Sequence, residues 1–154
     1  MSGHAFTIRV ATGDDLPQIV ALMNAAAVGA RASLETDDMT VYAAAFKEIE
    51  KAPEADIFVA VDSQGTVLST YQLTLEKGLA FQGRPRATVE SMHTRADQRG
   101  KGIGRAMIAH AKQTAAEKGC CMVQLTSNAQ RVDAHRFYLR EGFEQSHLGF
   151  KLML

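Results

Sequence analysis

The segment Thr94-Arg95-Ala96-Asp97-Gln98-Arg99-Gly100-Lys101-Gly102-Ile103-Gly104-Arg105-Ala106 holds three alternating glycines among basic side chains. A residue without a Cβ lets the backbone approach a ligand closely and adopt positive φ. At a helix start, N–H groups that lack a helical acceptor combine with the helix dipole to favour a bound anion. Arg99 and Lys101 add positive charge beside them. A purely structural turn accounts poorly for this run, because each glycine weakens the helix that follows. A Walker A loop requires Gly-Lys-Ser/Thr, and neither Ser nor Thr follows Lys101. A dinucleotide fingerprint requires Gly-x-Gly-x-x-Gly after the first strand of a βαβ unit, whereas these glycines alternate and come late in the chain. The chemistry implied is phosphate ligation by backbone amides.

The elements that must position this turn can be read around it. Phe6 to Val10 alternates as a first strand. Asp14 or Asp15 starts a helix with Pro17 in its first turn and Ile19, Val20, Leu22 and Met23 as its apolar stripe. Met39 to Lys51 predicts a second helix, with Val41, Ala44, Ala45 and Ile49 at helical spacing. Residues 56–62 and 66–74 read as strands joined by the turn Asp62-Ser63-Gln64-Gly65. A strand over 87–94 leads into the glycine turn. Ile103 to Lys118 predicts a helix with Ile103, Met107, Ala111 and Ala115 on one face and Gly119 as its stop. Residues 120–126 read as a strand buried on both faces. Residues 129–141 read as a helix capped by Asn128 and stopped by Gly142. Phe143 to Leu154 supplies one or two closing strands. The expected fold class is α/β: a mixed, mostly antiparallel sheet of 6–7 strands flanked by about four helices.

Composition narrows the function classes. Lys plus Arg (17) equals Asp plus Glu (17), so no global field draws the chain to nucleic acid or an anionic membrane. No apolar run reaches the roughly 18 residues of a membrane span. The start, Met1-Ser2-Gly3-His4-Ala5, lacks the basic and apolar regions of a signal peptide, and a cytoplasmic location is expected. Cys120 and Cys121 are adjacent, poorly placed to bond each other, and fit a reducing compartment. No spacing typical of zinc ligands occurs, so no metal is expected. Only three prolines and no Ser/Pro/Gly-rich linker appear, which leaves residues 1–154 as a single expected domain.

With its turn and element order, the chain resembles the GNAT superfamily of N-acetyltransferases. The family signature, Arg/Gln-x-x-Gly-x-Gly/Ala, is matched by Arg99-Gly100-Lys101-Gly102-Ile103-Gly104. About thirty residues later comes a second family motif, Ala134-His135-Arg136-Phe137-Tyr138-Leu139-Arg140-Glu141-Gly142-Phe143. Two motifs at the family spacing are more specific than either alone. The resemblance implies that amides of residues 99–104, with Arg105 beside them, bind the pyrophosphate of acetyl-CoA. It implies that Met92, His93 and Thr94 pair with the pantetheine arm as with an added strand, in a slot where the strands over 87–94 and 120–126 splay. Ala134, Phe137 and Tyr138 would complete the cofactor site. Many members carry Asn three residues before the helix Ala, where this chain has Arg131. Asn128, one turn earlier, either takes over the pantetheine contact or caps the helix; Arg131 either contacts pantetheine or phosphate or has no such role. Thr94-Arg95-Ala96 replaces a frequent Val-x-Pro.

Acetyl transfer requires an amine stripped of its proton, a stabilised oxyanion and a protonated leaving thiolate. Tyr138 resembles the family tyrosine that points at the CoA sulfur and would donate the last proton; alternatively it packs with Phe137 and Phe143. Strand alternation puts Glu90, Met92 and Thr94 on one face and His93 on the other. A carboxylate inside an apolar strand is costly unless paired or functional. Glu90 is therefore a candidate base with its pKa raised by burial, or else an ion-pair partner or a solvent-facing group. His93 is the second candidate. The oxyanion donor would be a backbone N–H near Met92 or His93. His110 and His135 read as surface groups, and His147 has no assigned role. Arg131, Arg136 and Arg140 read as a solvated face, part of which could reach the CoA 3′-phosphate.

Acceptor choice in the family comes from the first two helices and the C-terminal strands. Arg31, Glu35, Asp37 and Asp38 lie in the helix-to-helix loop, where acids would attract a cationic amine or simply face solvent. The run from Asn24 to Ala30 could gate the acceptor site. The leading reading is an N-acetyltransferase acting on a primary amine of a small molecule or protein. Its rivals are a non-catalytic CoA-binding regulatory module and an unrelated nucleotide-binding domain. Family habit adds a homodimer.

Overall fold

The computed structural model describes residues 5–154; the first four, on which the reading of the chain start rests, lie outside that range. The elements are β1 (Phe6–Val10), α1 (Leu16–Ala25), α2 (Met39–Lys51), β2 (Ala55–Asp62), β3 (Val67–Glu76), β4 (Arg86–Thr94), α3 (Ile103–Glu117), β5 (Val123–Leu125) and α4 (Val132–Arg140). The five strands form one sheet in the order β1-β2-β3-β4-β5. Neighbours from β1 to β4 run antiparallel. Towards β5, Cys121 N–H donates to Pro85 C=O (2.9 Å) and Ala87 N–H to Met122 C=O (3.0 Å). Residue numbers rise together in these bonds, the parallel sense, as a crossover through α3 requires.

Strand, helix and turn positions follow the sequence reading closely up to β5, with three departures. The buried face of α2 carries Phe46, with Met39, Tyr42, Ala43 and Ile49 partly buried, while Val41 is exposed. Phe46 and Tyr42 bring more apolar area to the sheet than alanines can, and this sets the rotation of the helix. Cys120 and Cys121 precede β5 rather than opening it, and both are free thiols. Residues 143–154 form no strand, so the sheet has five strands rather than 6–7.

The chain divides into two compact units, one running to Gln124 and the other Leu125–Leu154. In the first, α1 and α2 cover one sheet face through Leu16, Ile19, Val20 and Phe46 against Val59, Val61 and Val67. On the other face α3 buries Ile103, Met107, Ile108, Ala111 and Ala115. In the second unit α4 has no buried residue. Among the described residues no helix is long and apolar enough to cross a membrane.

The entry to α1 is fixed by one carboxylate. Asp15 is buried, accepts from Arg9 at 2.7 and 3.0 Å, and accepts from Thr12 N–H at 2.8 Å. The Arg9 bonds hold its pKa below the ordinary carboxylate value against the opposing effect of burial. Asp15→Ala should destabilise the fold by about 2–3 kcal/mol in urea titration, because it strips Arg9 and Thr12 of their acceptor. A lowered folded pKa gives stability that is present above the unfolded value and lost in acid. The gap between wild type and variant should therefore close as pH falls below about 4.

Candidate functional site

After Thr94 a short 3-10 turn (Ala96–Gln98) delivers the chain, extended at Arg99, into the glycine run. Gly100 has φ 75° and Gly102, the residue preceding α3, has φ 82°. These are left-handed conformations that other residues adopt only under strain. Gly104 lies inside the first turn of α3 and takes no such value, so two of the three glycines serve turn geometry. The first bond of the helix runs from Ala106 N–H to Gly102 C=O (3.0 Å). The amides of Ile103, Gly104 and Arg105 precede that ladder, lack a helical acceptor and lie at the positive end of the helix dipole. A Cβ built on Gly100 or Gly102 would meet no atom within 4 Å. The space beside these glycines is thus outside the fold's own packing and open to solvent. Arg99 and Lys101 are exposed beside it, their side chains reaching Thr94 C=O (3.4 Å) and the Gln98 side chain (3.3 Å). Asp97, the one acid in the turn, is paired with Arg95 at 2.9 Å.

The strand that feeds the turn is irregular at one point. Thr70 of β3 pairs with His93 and Gln72 pairs with Glu90, so Ser91 and Met92 together oppose Tyr71. This is a β-bulge, and Ser91 takes φ 49°, an uncommon value for a residue other than glycine. Thr70 and Gln72 lie on one face of β3, so their partners His93 and Glu90 also share a face. The expected alternation, with His93 opposite Glu90, is overturned by the extra residue. Thr94 pairs with Ser69 on the other face, and the two hydroxyls lie 2.9 Å apart while Ser69 also donates to His93 C=O. His93 is buried, whereas Glu90 is exposed. The burial argued for Glu90 is therefore not found.

Beside the bulge is a cavity of about 110 Å³ between α1, α2 and the sheet. Its walls include Met23, Tyr42, Phe46 and Ile57, with Gln72 and Ser91 on the strand side. That volume exceeds the roughly 10–15 Å³ one water needs, so a small side group can enter. The loop between α1 and α2 is more ordered than a solvent loop. Glu35 accepts from Arg31 and from the Tyr42 hydroxyl, both at 2.6 Å, and Tyr42 and Arg31 lower its pKa. Asp38 caps α2 by accepting from Thr40 N–H at 3.0 Å. Two of the loop's three acids thus serve the fold. His110 is not a surface group either. Its Nδ1 lies 2.8 Å from the hydroxyl of the fully buried Tyr71, its ring stacks edge-on to Phe58, and burial lowers its pKa.

In the C-terminal unit, Tyr138 lies at the end of α4. The helix stops in a Schellman motif: Phe143 N–H donates to Tyr138 C=O (3.0 Å) and Gly142 N–H to Leu139 C=O (3.1 Å), with Gly142 at φ 90°. The motif brings Phe143 against Tyr138 (5.7 Å between ring centroids), while Phe137 flanks it at 5.2 Å. Gly142-Phe143 therefore fixes the Tyr138 ring. Partial burial of the half-exposed ring raises the phenol pKa, and the Arg131 charge partly offsets that rise. Arg131, not Asn128, precedes α4. Asn128 accepts from Gln130 N–H (2.9 Å) in a turn before the helix, and its C=O bonds His135 Nε2 (2.9 Å). The capping expected of Asn128 gives way to this turn, while His135 keeps its place near the surface. Ala134 is half-buried, and Arg136 pairs with Asp133 at 3.5 Å. Of the residues with evident roles here, Ser69, Ser91, Tyr42 and Tyr71 carried no sequence signal, since nothing local marks a bulge that lacks glycine.

Known proteins resemble this chain in sequence and in fold. A 52-residue stretch, 34% of this chain and 34% of the relative, is 48% identical to aminoalkylphosphonate N-acetyltransferase of Salmonella typhimurium. The chain thus matches about a third of that relative's length. A transcriptional regulator from Bacillus halodurans C-125 is 38% identical, with TM-score 0.90 over 97% of this chain and 100% of that one. Glucosamine-6-phosphate N-acetyltransferase from Arabidopsis thaliana, at 18% identity, shares the fold with TM-score 0.81 over 97% of this chain and 98% of that one. The sequence model of the acetyltransferase (GNAT) family matches residues 19–143. The chain belongs to the acetyltransferase (GNAT) family.

Proposed function

We propose that the chain moves the acetyl group of acetyl-CoA to a primary amine of a small molecule or protein by direct attack. The observation that carries this reading is the turn at Gly100 to Gly104, where two left-handed glycines lead into a helix N-terminus beside open space. There the amides would hold the pyrophosphate, with Arg99, Lys101 and Arg105 neutralising its charge. Met92, His93 and Thr94 would present backbone to the pantetheine arm, with an amide of Met92 or His93 at the bulge as oxyanion donor. Asn128, Arg131, Ala134 and Phe137 are the remaining proposed cofactor contacts.

Acetyl-CoA supplies the activated carbonyl. The amine nitrogen bonds to that carbon, the C–S bond breaks, and the electron pair leaves on sulfur. Glu90, directly or through water, takes the amine's proton, and Tyr138 gives its phenolic proton to the thiolate. Solvent returns one proton to Tyr138 and removes one from Glu90, so both reset. The apolar cavity beside the bulge favours an acceptor with a small apolar group next to its amine. The span of the family model across residue 124 supports one acetyltransferase domain, and the two free thiols fit a cytoplasmic setting. A second copy of the chain is the proposed macromolecular partner.

Glu90→Gln should lower kcat by about 10–100-fold and flatten the acidic limb of the pH–rate profile. An unaltered profile would move the proton to His93 or to solvent. Calorimetric titration should show CoA binding in preference to ATP or NAD, and tighter binding of either nucleotide would refute the cofactor assignment.

A further inference from the structure

Strand β3 buries two hydroxyls side by side, Ser69 and Thr70, at 0% and 2% exposure. A buried hydroxyl is costly unless it is bonded, and each of these bonds a neighbouring strand. Thr70 donates to Phe58 C=O of β2 at 3.1 Å. Ser69 donates the other way, to His93 C=O of β4 at 3.0 Å. A hydroxyl has one hydrogen to give, so the 2.9 Å contact between Ser69 and Thr94 uses the hydrogen of Thr94. Ser69 thus holds two consecutive residues of β4, one as donor and one as acceptor. They are the first two residues beyond the bulge. Arg95 N–H donates to Leu68 C=O at 2.9 Å and continues the same attachment.

The bulge itself carries strain. Ser91 takes φ 49°, where a Cβ is unfavourable, and it has no glycine's freedom to relieve that cost. Such a residue persists only where its surroundings over-determine it. On the near side Glu90 is in register with Gln72, and on the far side Ser69 holds His93 and Thr94. A return of Ser91 to negative φ would rotate the peptide that follows it, which carries the Met92 N–H. We propose that Ser69 is a positioning residue: its hydroxyl keeps the strand beyond the bulge in register, holds Ser91 left-handed and so sets the amides of Met92 and His93. The proposal rests on the reading in which one of those amides stabilises the oxyanion. Ser69 is fully buried, so no solvent molecule takes the place of its hydroxyl when it is removed.

The test is a double-mutant cycle with Ser91→Gly, because glycine adopts positive φ without strain. Ser69→Ala should lower kcat by about tenfold in the wild-type background and by less than about twofold in the Ser91→Gly background. A hydroxyl that only packed the core would cost the same in both backgrounds, so equal losses overturn the proposal. Undiminished turnover in Ser69→Ala overturns it as well. Thr94→Val, which removes the other hydroxyl while keeping the shape, should repeat the pattern on a smaller scale, about threefold against no loss. Amide exchange at residues 91–95 reads the same cycle without catalysis. It should quicken by about tenfold on Ser69→Ala and change little when Ser69→Ala is added to Ser91→Gly. If no amine is acetylated by the wild type, the acetyl-transfer reading fails and exchange alone decides: rates unmoved by Ser69→Ala, or moved equally in both backgrounds, overturn the clamp.

Discussion

Tyr138→Phe should lower kcat by about 10²-fold while changing the KM for acetyl-CoA little. The substitution keeps the ring, its contact with Phe143 and the Schellman stop, and removes only the hydroxyl. A loss confined to kcat therefore reports the proton and not the packing. The raised phenol pKa fixes the sign of the pH dependence. A phenol made harder to ionise stays protonated through neutral pH and remains able to donate. In wild type the alkaline fall of kcat should come above the ordinary phenol value of about 10, and Tyr138→Phe should lose that limb. Unchanged turnover at saturating substrate would remove Tyr138 from the chemistry and leave it an aromatic packing residue.

The second large effect is expected at the glycine turn. Gly102→Ala forces a Cβ onto a residue at φ 82°, at a cost of about 1–2 kcal/mol. It also fills space that the fold leaves open at the helix start. The protein should remain folded, with its urea midpoint lowered modestly, while affinity for CoA falls by at least about tenfold. The contrast between the two readouts is what matters. A structural turn would lose stability and keep its ligand affinity; a pyrophosphate cradle loses affinity beyond the strain. Gly104→Ala is the internal comparison, since Gly104 is already helical and alanine there carries no φ penalty.

These two positions also show what was legible in the sequence. Gly100 and Gly102 encode their own conformation, because few other residues adopt positive φ without cost. The stripe Ile103, Met107, Ala111 and Ala115 encodes the face that fixes α3, and it is buried as read. The bulge at Ser91 was invisible, because its φ is imposed by pairing between β3 and β4 and not by residue type. That single extra residue moved His93 and Glu90 to one face and left Glu90 in solvent. His110 was misread for a related reason. Its neighbour Lys112 marks the solvent side of α3, yet position 110 falls on the flank of the stripe, within reach of Tyr71. The closing strands were legible as a pattern but not as pairing. Alternation specifies a strand's faces and says nothing about which edge, or whose, will receive it.

The most direct measurement of the central claim follows thiol release from acetyl-CoA across a panel of primary amines, with the products examined by mass spectrometry. The expected result is amine-dependent release with N-acetylated product, saturable in both substrates and sharply reduced in Tyr138→Phe. Tight binding of acetyl-CoA with no acetylation of any amine across the panel would contradict acetyl transfer and leave a CoA-binding module in its place.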